Sequence, residues 1–202
     1  MKLKKSSRPT GRPRSFDPDK ALDRALQVFW RKGYEGASLS DLTKAMGINR
    51  PSLYAAFGDK QALFHKALDR YSEGPASYLN EALKEPTARA VVDRLLRGAL
   101  GLPTGHRNPP GCLMIQGALA CGDEARPIRR ELIRRRAQAE AAIRKRLEQA
   151  QTEGDLLPDS SPADLARYVA TVMQGLAVQA AGGASRSQLQ RVVDSALRAW
   201  PT

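Results

Sequence analysis

Cysteine, histidine and long apolar runs are all scarce in this chain of 202 residues. Its two cysteines, Cys112 and Cys121, stand nine positions apart. They cannot make a disulfide framework, and a reducing cytoplasm is their natural setting. Only two histidines, His65 and His106, are present, no Cys, His and carboxylate cluster has metal-ligand spacing, and no nucleophile motif accompanies them. A metal centre, a cofactor and an enzymatic role are therefore not expected. No apolar stretch approaches the ~20 residues of a membrane span. The basic N-terminus has no apolar segment behind it, which excludes a secretory leader. Strand-like alternation and internal repeats are also missing, so the expectation is an all-α protein. The last absence is local. Residues 1–14 carry Lys2, Lys4, Lys5, Arg8, Arg12 and Arg14 and no acid.

What is present is organised around Ser38–Lys60. Ser38 with Asp41 three residues on forms a capping box. Leu39, Leu42, Ala45 and Met46 give a short helix one apolar face. Gly47 falls where a helix ends in a left-handed residue, and Ile48 plugs the turn. Asn49 can cap the next helix, with Pro51 in its first turn. Leu53, Ala56 and Phe57 then face inward, which leaves Arg50, Ser52, Tyr54 and Ala55 outward. Gly58 and Asp59 end this helix and cap the next, which starts at Lys60. Two helices around a glycine turn make a helix-turn-helix, whose second helix fits the DNA major groove. An ordinary helical hairpin would show the same spacing. The net charge of +12 and the all-basic arm beside it favour DNA.

The pattern Ser38, Asp41-Leu42, Gly47-Ile48-Asn49, Leu53-Tyr54, Phe57, Asp59-Lys60, Leu63 resembles the DNA-binding segment of the TetR family of bacterial transcriptional repressors. The likeness runs from about Phe16 to Leu68. It departs at Thr43, where the family usually has alanine, at Asn49, where serine is frequent, and at Ala56, where a phosphate-touching histidine is common. The resemblance implies a three-helix head on a helical regulatory bundle, a homodimer on palindromic DNA, and a small-molecule inducer pocket in the second half. Dimer heads about one DNA turn, or ~34–36 Å, apart would read a palindrome.

The expected division is a basic arm (1–15), a helix-turn-helix domain (16–62) and a regulatory and dimerisation domain (63–202). For DNA, Asn49 and Arg50 are the base-reading candidates, since Arg pairs with guanine and Asn with adenine. Pro51 shares the start of that helix. Ser52 and Tyr54 suit phosphate or sugar, as matching family positions do. Ser38 and Lys60 sit at helix N-termini, which attract phosphate; for Ser38 capping alone is an equal reading. Arg12 and Arg14, in Gly11-Arg12-Pro13-Arg14, suit a narrow minor groove.

Later helices are marked by Pro86-Thr87, by Glu124 to Gly154 with Pro127 early and an arginine-rich outer face, by Ser161-Pro162, and by Ser185. Pro103 to Gly111 reads as a loop, and Cys112 to Cys121 as a buried, almost wholly apolar helix. The arginine-rich face reads as solvated and partly paired with Glu131, Glu140 and Glu148 rather than as a second DNA surface. The stripe Leu189, Val193, Leu197 and Trp200, with small residues near Gly175, is the expected dimer interface. The pocket that the resemblance implies draws its candidates from Leu102, Cys112, Ile115, Gln116, Met173, Gln174 and Leu176. Cys112, at a helix start, would have a lowered thiol pKa; a buried inert cysteine is the plainer reading. A non-regulated architectural DNA binder remains the alternative function.

Overall fold

The computed structural model describes residues 16–104 and 108–201, except the side chains of 103 and 104. The basic arm, with Arg12 and Arg14, and the loop residues His106 and Arg107 lie outside the described residues. Every described element is helical. No helix among them is long and apolar enough to cross a membrane.

Helix α1 (Pro18–Gly36) opens as its sequence dictates. Asp17 accepts from the amides of Asp19 and Lys20, and Pro18 fills the first position, where its missing N–H costs nothing. The helix breaks at Gly33, whose φ of 68° is left-handed, and one further turn follows. Helices α2 (Leu39–Met46) and α3 (Arg50–Phe57) form the helix-turn-helix. Both halves of the Ser38–Asp41 capping box are made, and Gly47 closes α2 with φ 70°. Asn49 caps α3 through the Ser52 amide at 2.8 Å. Asp59 then caps α4 (Lys60–Glu73).

Gly74 ends α4, and α5 (Tyr78–Ala82) is a short resumption. Helix α6 (Ala88–Thr104) continues past Pro103, so the following loop is shorter than the sequence suggests. Gly98 stands in the middle of α6, where a glycine weakens a helix. Its place is explained by Tyr78: a Cβ there would lie 2.1 Å from the tyrosine ring. The expected helix from Cys112 to Cys121 is only α7 (Leu113–Gln116) followed by turns, and Leu119 is 57% exposed. A longer helix is prevented because the Gly117 carbonyl is taken by the Tyr34 amide of α1, at 2.7 Å. After a short 3₁₀ turn at Asp123–Ala125 comes α8 (Arg126–Thr152), then α9 (Pro162–Ala181) and α10 (Arg186–Arg198).

Two apolar cores result. The first joins α1–α4 to Leu113, Ala118, Ile128 and Leu132, so the head is welded to the bundle rather than tethered to it. Phe29, Tyr34 and Phe64 pack edge-on or stacked within it, and Phe16 lies on Phe57. The second joins α6, α9, α10 and the end of α8. This second core corrects one expectation. Leu189, Val193, Leu197 and Trp200 are buried inside the protomer, against α6. A stripe so used cannot also form a subunit interface.

The Ser38–Asp41 box gives a prediction. Ser38→Ala should cost about 1 kcal/mol, read by chemical denaturation. Hydrogen bonds from Lys32 and Ser38 hold the Asp41 carboxyl down at about 2 from its ordinary 3.8. A carboxylate depressed by folding stabilises fully above its unfolded pKa and loses that contribution as pH falls through the folded one. Asp41→Asn should therefore be less stable than the parent above pH 3.8, and the two should converge towards pH 2.

Candidate nucleic-acid interface and cavity

The face presented by α3 follows from its caps. With Leu53 and Phe57 buried, Asn49, Arg50, Pro51, Tyr54 and Ala55 all point to solvent. Tyr54 is 49% exposed, unusual for so large a ring unless it has a partner to meet. Ser52 is half-buried, and its amide is spent on Asn49. The Asn49 oxygen is engaged as a cap, which leaves its amide nitrogen for a ligand. The Ser38 hydroxyl is occupied twice: it accepts from the Asp41 amide at 3.0 Å and donates to the Asp41 carboxylate at 2.8 Å. Capping therefore accounts for this side chain. Lys60 is half-buried, with Nζ 4.5 Å from the centre of the Tyr34 ring, and desolvation lowers its pKa.

Behind the head lies a cavity of about 460 Å³. Of the residues expected there, Leu102, Cys112, Ile115, Met173 and Gln174 line it. Two expectations need correction. Gln116 turns back to accept from the Cys112 amide at 3.1 Å and packs on Gly111, where no Cβ would fit. Leu176 is buried in the second core, because it faces α6 on the same stripe as Val169 and Ala180. Neither borders the cavity.

Among the lining residues that escaped the sequence reading are Tyr71, Tyr78 and Arg136. Tyr71 sits on an apolar stripe and reads as plain core, while Arg136 reads as part of a solvated basic face. Only the crossing of α4, α5 and α8 over Cys112 brings them together. The Tyr71 hydroxyl donates to Cys112 Sγ at 3.1 Å. Arg136 donates to the Met114 carbonyl at 2.7 Å.

Of the two readings of the Cys112 thiol, the plainer one, an inert cysteine, is the one the surroundings favour. The amides of Met114 and Ile115 and the Tyr71 hydroxyl do pull the Cys112 pKa down, but burial outweighs them and pushes it up. A four-residue helix offers little dipole, and desolvation disfavours a thiolate. Cys112 and Cys121 are both free thiols. No group of His, Cys, Asp or Glu among the described residues could hold a metal ion.

The segment that carries Cys112 is fastened to α1. The Trp30 indole donates to the Gly111 carbonyl at 3.2 Å. The Tyr34 amide donates to the Gly117 carbonyl, and the Glu35 carboxylate accepts from the Gly122 amide at 3.1 Å. The cavity wall and the DNA-reading head thus share one strut.

A capped helix-turn-helix with an exposed recognition face, welded to a helical bundle that encloses a cavity, defines a helix-turn-helix regulator. Residues 21–67 match the family model of bacterial regulatory proteins of the tetR family, and residues 88–196 match the tetracyclin repressor-like C-terminal domain. The chain belongs to the TetR family of transcriptional regulators and is not an enzyme. It is 34% identical over 193 residues to the HTH-type transcriptional repressor ComR of Escherichia coli, covering 95% of this chain and 92% of that protein. It is 33% identical to the repressor BdcR of the same organism, covering 94% and 91% of the two chains. A cysteine mutant of the TetR family transcriptional regulator CifR, solved complexed with 26bp double-strand operator DNA, superposes with a TM-score of 0.91. Identity there is 44%, with 94% of this chain and 100% of that chain covered.

The buried thiol gives the prediction of this site. Alkylation of native Cys112 by iodoacetamide should be slow near neutral pH and should still be climbing at pH 9.0, the ordinary value for the group. Peptide mass spectrometry of timed samples reads the rate. Rapid saturation at neutral pH would mean a thiolate that burial does not allow.

Proposed function

We propose that this chain is a repressor that binds a palindromic operator as a homodimer and lets go when a small molecule fills the cavity. The observation that carries the DNA reading is the exposed, doubly capped face of α3. Arg50 and Asn49 reach base edges at the N-terminal end of that helix, where groove-reading residues sit. Pro51, Ser52 and Tyr54 set the helix against the backbone, with Ser38 and Lys60 near flanking phosphates. Arg12 and Arg14 of the arm add minor-groove charge. The CifR complex supports this reading, since that similar protein holds double-strand operator DNA. The cytoplasm is where such a protein meets its DNA.

The cavity supports the effector part. Most of its lining comes from the segment matched by the C-terminal family model, and part of its wall is the strut bonded to α1. A ligand that alters the strut shifts the head between a DNA-competent packing and another, by its differential affinity for the two.

The dimer face falls on α9 and α10, but on their outer sides. Val178 and Val192 are each 48% exposed, and Tyr168, Thr171 and Gly175 share the outer stripe of α9. A Cβ at Gly175 would meet nothing within 4 Å among the described residues, so the glycine leaves room for a neighbour.

Two experiments test these readings. A preferred site selected from a random duplex pool should be palindromic, and Arg50→Ala should lose about 1–3 kcal/mol on it with relaxed choice at one base position. Equal loss on unselected DNA would reduce Arg50 to a phosphate contact. Val178→Asp with Val192→Asp should give a folded monomer by light scattering, because a charge buried without a partner is costly. A dimer that survives both changes would put the interface on another face.

A further inference from the structure

The polar groups that line the cavity around Cys112 are unequal in a way that specifies a ligand. Tyr78 is fixed by its ring seat on Gly98, yet its hydroxyl has no hydrogen-bond partner among the described residues. Burial raises its pKa, so it is a neutral donor. The Tyr71 hydroxyl and Cys112 are already paired with each other. Arg136 spends one N–H on the Met114 carbonyl and meets no carboxylate among the described residues.

The remaining charges around this wall are balanced. Arg134 and Arg135 share Glu131, Arg135 also takes Asp69 at 2.7 Å, and Arg167 takes Glu140 at 2.7 Å. Among the described residues of this wall, one positive charge, on Arg136, is left without an opposite. Desolvation presses on that guanidinium, which cannot lose its proton at any ordinary pH. Unused donors and one uncompensated cation therefore face a cavity otherwise walled by Leu95, Leu102, Ile143 and Met173.

Resting on the reading of this cavity as the effector site, we infer that the ligand is an apolar molecule ending in a single carboxylate, which pairs with Arg136 and accepts from Tyr78. The carboxylate supplies the acceptors the wall lacks, and its planar pair of oxygens matches the guanidinium fork. The apolar body displaces water from the aliphatic wall. A cationic ligand would meet Arg136 with the wrong sign. A neutral ligand would fill the volume and leave that charge uncompensated. Tyr78 is the neighbour that fixes where the head group lies, through Gly98 beneath its ring.

The probes are octanoate, octanamide and octylamine, matched in length and different in charge, titrated into the full chain by calorimetry without DNA. Octanoate should bind roughly tenfold or more tighter than octanamide, as expected for a charge-assisted pair, and octylamine should not bind. Arg136→Gln should bring octanoate down to the octanamide level and leave octanamide unchanged. Arg136→Lys should restore part of the preference, and Tyr78→Phe should weaken octanoate while the charge preference stays. Unchanged melting temperatures show which variants are folded. Equal binding of octanoate and octanamide to the parent protein would overturn the inference, as would equal loss of both in Arg136→Gln or no heat from either. The effector reading has its own readout, which is release of the selected DNA followed by anisotropy. Octanoate that binds Arg136 without releasing DNA upholds the carboxylate site and sinks its regulatory role. Release by octanamide as effective as by octanoate does the reverse.

Discussion

The hydrogen bond from the Tyr34 amide to the Gly117 carbonyl, at 2.7 Å, is the contact on which the rest of the arrangement depends. It exists because α1 breaks at Gly33. A residue there at φ 68° frees the next amide from the helix ladder, and a Cβ at that position would stand 3.2 Å from the Gly117 oxygen. Any other residue would carry both a left-handed backbone and a crowded oxygen. The break turns a helix end into a socket. Trp30 and Glu35, on either side of it, hold the same strut at Gly111 and Gly122. The strut that results walls the cavity with Cys112, Met114 and Ile115. A motion of that wall has no slack in which to dissipate before it reaches α1.

Helix α4 is the second path between the same places. Arg70 grips Asp23 of α1 with two hydrogen bonds, of 2.8 and 3.1 Å, and Tyr71 reaches Cys112. Trp30 and Tyr71 meet edge-to-face with centroids 4.8 Å apart, so the two paths touch. Closely packed interiors do not deform continuously. Two elements locked to each other and to the cavity wall move together or not at all, which is what a switch between two packings requires.

The reading head was legible because its signals are local. Caps, terminal glycines and short apolar stripes act within four residues, and Ser38, Gly47, Asn49 and Asp59 each do what their spacing indicates. The cavity was legible only in part, because its residues converge through tertiary crossing. Cys112 and Met173 are apolar enough to be expected inside. Arg136 lies on a helix that carries several arginines, and nothing in its sequence neighbours marks it as the one that bonds the Met114 carbonyl. The thiol had two readings in the sequence for a physical reason. Helix-end amides and desolvation oppose each other at Cys112, and sequence shows the first while burial decides the second.

The stripe on α10 teaches the same lesson about interfaces. An apolar stripe on a terminal helix can serve the protomer or its partner, and periodicity is identical in both cases. What separates them is whether another helix within the chain already covers it. Here α6 does, with Val92, Leu95 and Leu96 in the core that also takes Val193 and Leu197. The face proposed for a second copy is therefore the weaker signal: isolated valines at 178 and 192, and a glycine at 175 that packs on nothing among the described residues. Small residues there let two helix pairs approach closely, and such a face is coupled to the cavity through α9 itself. Met173, Gln174 and Ala177 look into the cavity from positions interleaved with Gly175 and Val178 on the outer side. Under the proposed function, a ligand that shifts α9 would bear on both the strut and the proposed subunit face.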